Sequence, residues 1–309
     1  MQSLVSGILQ QIQNIVIGKP EQIKLSLACL LAKGHLLIED LPGMGKTTLA
    51  HMLASSLGLS YQRVQFTSDL LPSDVIGVSI FDQNKQSFSL HQGPIFNQVV
   101  LADEINRASP KTQSALLEAM EENRVSIDGT THHLPLPFFV IATQNPMYHA
   151  GTYPLPESQL DRFMMRISLG FPDINAEKKI LLSEHGNSVF SAIEAKINTE
   201  QLVQMQSKVA DVYVSEAILD YVIALFQLSR NGEFTVNPLS PRAGKSLIAA
   251  AKAWAFIHQR EHLLPDDIKA VFSSVCEHRL VGSKYQRPND SASYSQQLLS
   301  KVNSEQPFQ

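Results

Sequence analysis

The chain holds 309 residues, 44% of them apolar and 17% charged, the profile of a globular protein with room for one large or two ordinary domains. Its formal charge of -4 excludes a global positive field that would hold nucleic acid or an anionic membrane surface, leaving only local patches for such contacts. The two cysteines, Cys29 and Cys276, sit in apolar, helix-like contexts and read as buried thiols of a reducing compartment rather than a disulfide framework.

The N-terminal stretch MQSLVSGILQQIQNIVIG lacks a basic start, a continuous apolar stretch and a small-residue cleavage site. Leu4, Ile8, Ile12 and Ile15 recur at three to four positions, which predicts an amphipathic helix. No apolar run is long enough to cross a bilayer, so a cytoplasmic address and no membrane insertion are expected. An apolar strand, HLLIE, then leads into DLPGMGKTTLA. This nearly matches the phosphate-loop pattern G-x-x-x-x-G-K-[ST], with Asp40 in place of the first glycine. Such a loop turns backbone N–H groups onto a phosphate at a helix N-terminus, with a lysine on the outer phosphates and a hydroxyl on Mg²⁺. Gly43 and Gly45 supply the turn, Lys46 the charge and Thr47 the hydroxyl, and TTLAHMLASSLG continues as a helix. An Asp40 side chain turned away from the loop would spare the phosphates its charge; otherwise the substitution alters nucleotide affinity.

The strand YQRVQF follows, then IFDQNKQSFSLHQG, whose alternation around Asn84 and Lys85 reads as an excursion from the sheet. Next, NQVVLADEINRAS ends a strand in two adjacent carboxylates. Downstream of a phosphate loop, Asp103 suits a metal held through water and Glu104 suits the polarising of an attacking water. A second excursion, NRVSIDGTTHHLPLP, carries the hairpin signal Asp128-Gly129. FFVIATQNP ends in Asn145-Pro146, where the amide either orients water against a γ-phosphate or starts a turn. PESQLDRFMMRISL adds the last strand, with Arg162 between Asp161 and Phe163; an arginine there is ordinarily a surface ion-pair partner. Short apolar strands alternating with helical patterns predict an α/β layer with a largely parallel sheet.

After GFPD the texture turns helical, most clearly in SEAILDYVIALFQLSR and PRAGKSLIAAAKAWAFIHQRE. Ser240 is the expected N-cap of the latter, Pro241 its first residue, and Arg242 falls in the first turn, where a cation opposes the helix dipole unless an anion is near. The expected organisation is an α/β core at 1–170, a linker at 171–188, a helical domain at 189–282 and a polar tail at 283–309. That tail contains Pro288 and is expected to be loosely attached, with at most a short helix around Leu298.

Taken in order, LPGMGKTT, VVLADEINRA, ENRVSIDG, FFVIATQNP, LPESQLDRF and LSPRA resemble the MoxR family of AAA+ ATPases, from about Ile17 to Gly282. The resemblance implies a AAA+ P-loop NTPase core followed by a smaller all-helical lid, with ATP and Mg²⁺ as cofactors. It makes Pro42, Gly43, Met44, Gly45, Lys46, Thr47 and Thr48 the Walker A loop, Asp103 and Glu104 the Walker B pair, and Asn145 sensor 1. Arg162 matches the arginine proposed as a finger into a neighbouring subunit, Arg242 matches sensor 2, and Val16, Ile17 and Gly18 match the segment along the adenine. The two excursions match the helix-2 insert and the pre-sensor-1 hairpin. By the same resemblance the protein is a homo-oligomer, a hexamer, that remodels or matures a protein client alongside a von Willebrand factor A-domain partner. The alternatives are the motor subunit of a magnesium-chelatase-like complex, a nucleic-acid motor and a nucleotide-binding scaffold. Compactness and the Asn106-Arg107-Ala108 run favour MoxR, and the acidic balance disfavours a nucleic-acid partner.

Overall fold

The computed structural model describes residues 2–84, 86–145, 151–182, 193–232, 237–281 and 293–305. In chain order, α1 (Gln2–Ile15) and α2 (Pro20–Leu31) lead into β1 (Leu36–Glu39), α3 (Lys46–Ser56) and β2 (Tyr61–Gln65). After α4 (Pro72–Ile76), β3 (Gly77–Asp82) and β4 (Ser87–Gln92) form an antiparallel hairpin. Then come β5 (Val99–Asp103), α5 (Pro110–Glu122), the hairpin β6 (Arg124–Ile127) with β7 (Thr130–His133), β8 (Phe139–Gln144), α6 (Glu157–Leu160) and β9 (Met165–Ile167). The remaining elements are helical: α7 (Ile174–Leu182), α8 (Thr199–Ala210), α9 (Glu216–Arg230), α10 (Pro241–Ile257), α11 (Pro265–Val281) and α12 (Tyr294–Lys301).

Five strands form one sheet in the order β2-β5-β8-β1-β9, with every neighbouring pair parallel. Parallel strands covered on both faces need apolar side chains on both, and VVLAD and FVIAT are buried throughout. Alternate side chains then feed two cores. Leu36, Ile38, Val99, Leu101, Phe139 and Ile141 pack with α1, α2 and α3, whereas Leu37, Val100, Ala102, Val140 and Ala142 pack toward α5 and the two hairpins. Register sets Glu39 beside Gln144 and Gln65 beside Asp103, so the carboxyl ends of β1, β8, β5 and β2 share one edge. The chain order reverses between β1 and β8, and the crevice outside the strand ends at such a switch point is where ligands bind in open α/β sheets.

The helical domain packs on the first core: Leu247, Ala250, Phe272 and Cys276 belong to the same buried cluster as Leu27, Leu36 and Met165. Arg279 of α11 stitches the join, donating to the Asp161 carboxylate at 2.6 Å and to the carbonyls of Phe163 and Met164 at 2.9 and 3.2 Å. Ser240 caps α10 by accepting from the Ala243 N–H at 3.2 Å, with Pro241 first in the helix, as the sequence predicts. Asp128 and Gly129 have φ of 49° and 79°, the left-handed pair of a tight hairpin turn. In the first hairpin Lys85 lies outside the described residues, and the base needs Gly93, where a Cβ would stand 2.4 Å from the Val75 carbonyl oxygen.

Two described segments bear on the expected linker and tail. Residues 171–188, expected as a linker, contain α7. In the tail the expected short helix around Leu298 is present as α12, and it is docked rather than loose: Leu298 is fully buried, and the Glu277 carboxylate of α11 accepts the Ser295 N–H at 2.8 Å. A short capped helix with one apolar face gains its stability from packing rather than propensity, which local sequence does not report. Pro288 lies outside the described residues.

Candidate active site

The loop after β1 and the N-terminus of α3 form one wall of a cleft of about 440 Å³. Gly43 and Gly45 have φ of 82° and 87°, a region costly for any residue with a Cβ, so the turn that aims the loop N–H groups inward depends on glycine. No side chain caps α3, which leaves its N-terminal N–H groups and dipole open to an anion. The Lys46 ammonium folds back over its own loop, donating to the carbonyls of Asp40 at 2.6 Å and Leu41 at 3.1 Å. Burial pulls its pKa below the ordinary lysine value, against the opposing charges of Asp40, Asp103 and Glu104. A partly desolvated cation held by neutral carbonyls is well suited to exchange them for phosphate oxygens.

Asp40 does not face the cleft. Its carboxylate accepts the Leu41 N–H at 2.9 Å on one oxygen, and the Ser168 hydroxyl at 3.1 Å and the Gly170 N–H at 2.7 Å on the other. The residue that breaks the strict pattern is therefore a buried anchor tying the phosphate loop to the chain leaving β9.

The opposite wall comes from the ends of β2, β5 and β8. Asp103 accepts the buried Thr143 hydroxyl at 2.6 Å on one oxygen, and the Arg63 guanidinium at 2.6 and 3.1 Å on the other. Thr143 Oγ also accepts the Glu104 N–H at 2.9 Å, so one hydroxyl fixes both carboxylate residues. Glu104 has φ of 55°, a conformation uncommon outside glycine and concentrated at functional sites. Its carboxylate is held at 2.9 Å by the Gln65 amide and at 2.8 Å by Arg107.

Of the residues the sequence singled out, Pro42, Gly43, Gly45, Lys46, Thr47, Thr48, Asp103, Glu104 and Asn145 line this cleft together. Pro146 lies outside the described residues. Met44 instead packs on the first core. Val16, Ile17 and Gly18 are not in the lining; Gly18 lies so close to α7 that a Cβ there would sit 2.5 Å from Ala176 Cβ. Next to them, Lys19 donates to the Phe171 carbonyl at 2.7 Å, so this segment abuts the path to the helical domain. Arg162 and Arg242 also lie outside the lining and share one carboxylate, Glu121 of α5, at 3.0 and 3.4 Å. Arg162 further donates to the Leu117 carbonyl at 2.6 Å, and Arg242 approaches Asp161 at 3.7 Å. Arg63, Gln65, Thr143 and Glu121 were missed by sequence reasoning. For Thr143 the available signal was a polar residue near the end of a strand otherwise reading as sheet core, whereas β2, which carries Arg63 and Gln65, is mostly polar and exposed and offered no such signal.

A family model described as ATPase family associated with various cellular activities (AAA) matches residues 35–165, and one described as AAA lid domain matches residues 229–301. Uncharacterized protein YeaC of Bacillus subtilis (strain 168) is 45% identical over 90% of this chain and 87% of its own length. Chaperone MoxR1 of Mycobacterium tuberculosis is 39% identical over 88% of this chain and 74% of its own length. The chain belongs to the MoxR family of AAA+ ATPases. A crystal structure of a Cytophaga hutchinsonii protein, 35% identical, superimposes with a TM-score of 0.88 over 98% of this chain and 95% of that one. Membership implies that the chain binds nucleotide. The chemistry of its donors fits ATP with Mg²⁺: main-chain N–H groups and Lys46 for phosphate oxygens, with the Thr47 hydroxyl and the Asp103 carboxylate as hard oxygen ligands.

Proposed function

We propose that this chain hydrolyses ATP and couples that hydrolysis to remodelling or maturation of a protein client, together with a von Willebrand factor A-domain partner. The observation that carries the reading is the convergence of Lys46 and Thr47 from one wall of the cleft with Asp103, Glu104 and Asn145 from the other. Lys46 holds the outer phosphates, and Thr47 and Asp103 are the residues to hold Mg²⁺, which when bound neutralises phosphate charge. Glu104, gripped by Gln65 and Arg107, accepts a proton from water, and Asn145 orients that water.

Five residues in one cleft supply binding and water activation, and the arginine that lines it among the described residues, Arg63, is engaged by Asp103 rather than free for the γ-phosphate. Arg162 and Arg242, paired on Glu121 outside the cleft lining, are assigned that role, with Arg162 acting across the interface of a ring, a cytoplasmic hexamer. Among the described residues no helix is long and apolar enough to cross a membrane, and the reading needs none. The two hairpins are read as the client-facing parts: β3–β4 presents Phe81 and Phe88 as an exposed edge-to-face pair, ring centroids 5.2 Å apart, and β6–β7 precedes β8, the strand after which Asn145 follows.

Two measurements test this. Arg162→Ala protein keeps its ATP pocket and Lys46→Ala protein keeps its arginine, so mixed rings should hydrolyse ATP faster than the sum of the two alone. No gain in demonstrably mixed oligomers sinks the trans role. Von Willebrand factor A-domain candidates should be captured differently by the Glu104→Gln protein with ATP and by ADP-bound protein, with shortening of 126–132 abolishing the difference. Identical capture in both states removes the coupling.

A further inference from the structure

The helical domain carries a second concavity with no part in nucleotide chemistry. It has a volume of about 680 Å³ and lies between α9 and α10, bounded by α8 and the end of α2. On α9 its wall is Leu219, Ile223, Phe226 and Arg230, at steps of four, three and four along one helical face. That face runs for about 16 Å, or three helical turns. On α10 the small Gly244 and Ala249 keep the floor low; a Cβ at Gly244 would already meet the Phe226 ring at 3.3 Å. Leu219 and Ile223 are 42% and 47% exposed, an unusual amount for aliphatic side chains that line an apolar trough.

The rim is cationic. Lys33, Arg230, Lys245 and Lys252 surround the trough, and no carboxylate lines it among the described residues. Among the described residues Arg230 and Lys252 donate to carbonyls, those of Leu239 and Ala210, both at 2.7 Å in their shortest contacts. None of the four forms an ion pair among the described residues. In a chain of net charge -4, four cations without an ion pair among the described residues, set around one apolar groove, are a local exception.

We propose that this groove docks an acidic amphipathic helix of a partner protein, about three turns long. Its apolar stripe lies over Ile223 and Phe226, and its carboxylates meet Lys33, Lys245 and Lys252. Helix-in-groove recognition reads such i, i+4, i+7 anchors, and complementary rim charge sets orientation and encounter rate. A fatty acid offers one carboxylate and leaves three cations unmet, and a membrane surface is met by convex rather than concave faces. The proposal is independent of the ATPase roles and of the client-facing hairpins.

The test uses the full chain and a fluorescein-labelled, lactam-bridged helical peptide of about 15 residues, with leucines at i, i+4 and i+7 and glutamates on either side. Anisotropy should show saturable binding that weakens about tenfold for a scrambled peptide of the same composition. The Lys245→Glu/Lys252→Glu and Ala249→Trp proteins, one reversing the rim and one filling the groove, should each lose at least tenfold in affinity. Both should keep wild-type ATP hydrolysis, the check that they fold. A peptide with its glutamates changed to lysine should bind the charge-reversed protein better than the wild type. Equal binding of peptide and scramble overturns the proposal. So does binding to phosphatidylglycerol vesicles that the double reversal abolishes while the peptide fails to bind, which assigns the groove to lipid. A change of oligomer size in Ala249→Trp with no loss of peptide binding assigns it to a second copy of the chain.

Discussion

Replacing Asp40 by glycine restores the strict phosphate-loop pattern, and the structure requires that it harm stability without harming nucleotide binding. The buried carboxylate accepts three hydrogen bonds, two of them from the main-chain N–H groups of Leu41 and Gly170 and one from the Ser168 hydroxyl. Hydrogen bonds to a charged group are worth about 1.5–3 kcal/mol each, and a buried N–H left without an acceptor costs about 1–3 kcal/mol. Relief of the carboxylate's own desolvation offsets part of this, and water entering the space left behind offsets more. A net loss of about 3 kcal/mol remains, which for a domain of this size lowers the unfolding temperature by about 6–12 °C. Asp40→Asn should fall near glycine rather than near wild type, because an amide turned to satisfy Leu41 sets its NH₂ against the Gly170 N–H. Differential scanning calorimetry without nucleotide reads the stability, and titration with a fluorescent ATP analogue reads the site. Affinity should stay equal or rise, since a negative charge near the phosphates is gone. An unchanged unfolding temperature with a tenfold weaker nucleotide would mean that Asp40 serves the phosphates directly and that the anchor is misread.

Three further outcomes are expected. Lys46→Ala should lose nucleotide binding, whereas Glu104→Gln should bind ATP and hydrolyse it at least a hundredfold more slowly, because only the first contacts phosphate; equal loss of binding in both refutes the division of labour. Arg63 competes with a cation for one Asp103 oxygen through a half-exposed ion pair worth about 0.2–1 kcal/mol, so Arg63→Gln should lower the Mg²⁺ concentration needed for nucleotide binding about two- to fivefold, read by fluorescence titration; a higher requirement would show that Arg63 itself holds the nucleotide. Buried His35 accepts the Val140 N–H on Nδ1 and meets the Met120 carbonyl through Nε2, and burial pushes its pKa down to about 4. The unfolded chain therefore takes up this proton first: the contribution, about 3 kcal/mol, is present above about pH 6.5 and is lost as pH falls toward 4. His35→Gln, which keeps an acceptor and a donor but does not titrate, should show a shallower loss of urea stability over that window, and an unchanged slope refutes the assignment.

The parallel sheet was legible because apolar strands such as VVLAD and FVIAT have no alternative in water, and Gly43 and Gly45 announced a left-handed turn that few other residues make. The hairpin at Asp128-Gly129 and the cap at Ser240 were local in the same sense: the residues that specify them are within four positions of the geometry they produce. Local chemistry of this kind survives without knowledge of the rest of the chain.

What the sequence could not supply are contacts between residues far apart in it. Asp40 meets Gly170, Arg63 meets Asp103, and Arg162 and Arg242 meet on Glu121, each across 40 to 130 positions. No propensity or spacing rule reports them, since they exist only once the strand ends share an edge. Docking of α12 by Leu298 and Glu277 is of the same kind. The sequence by itself singled out the candidate groups, because a phosphate loop and a carboxylate pair are defined by neighbours in the chain. Only the tertiary structure decided which of them share a cleft and what holds each in place, because burial and pairing depend on strand order and packing.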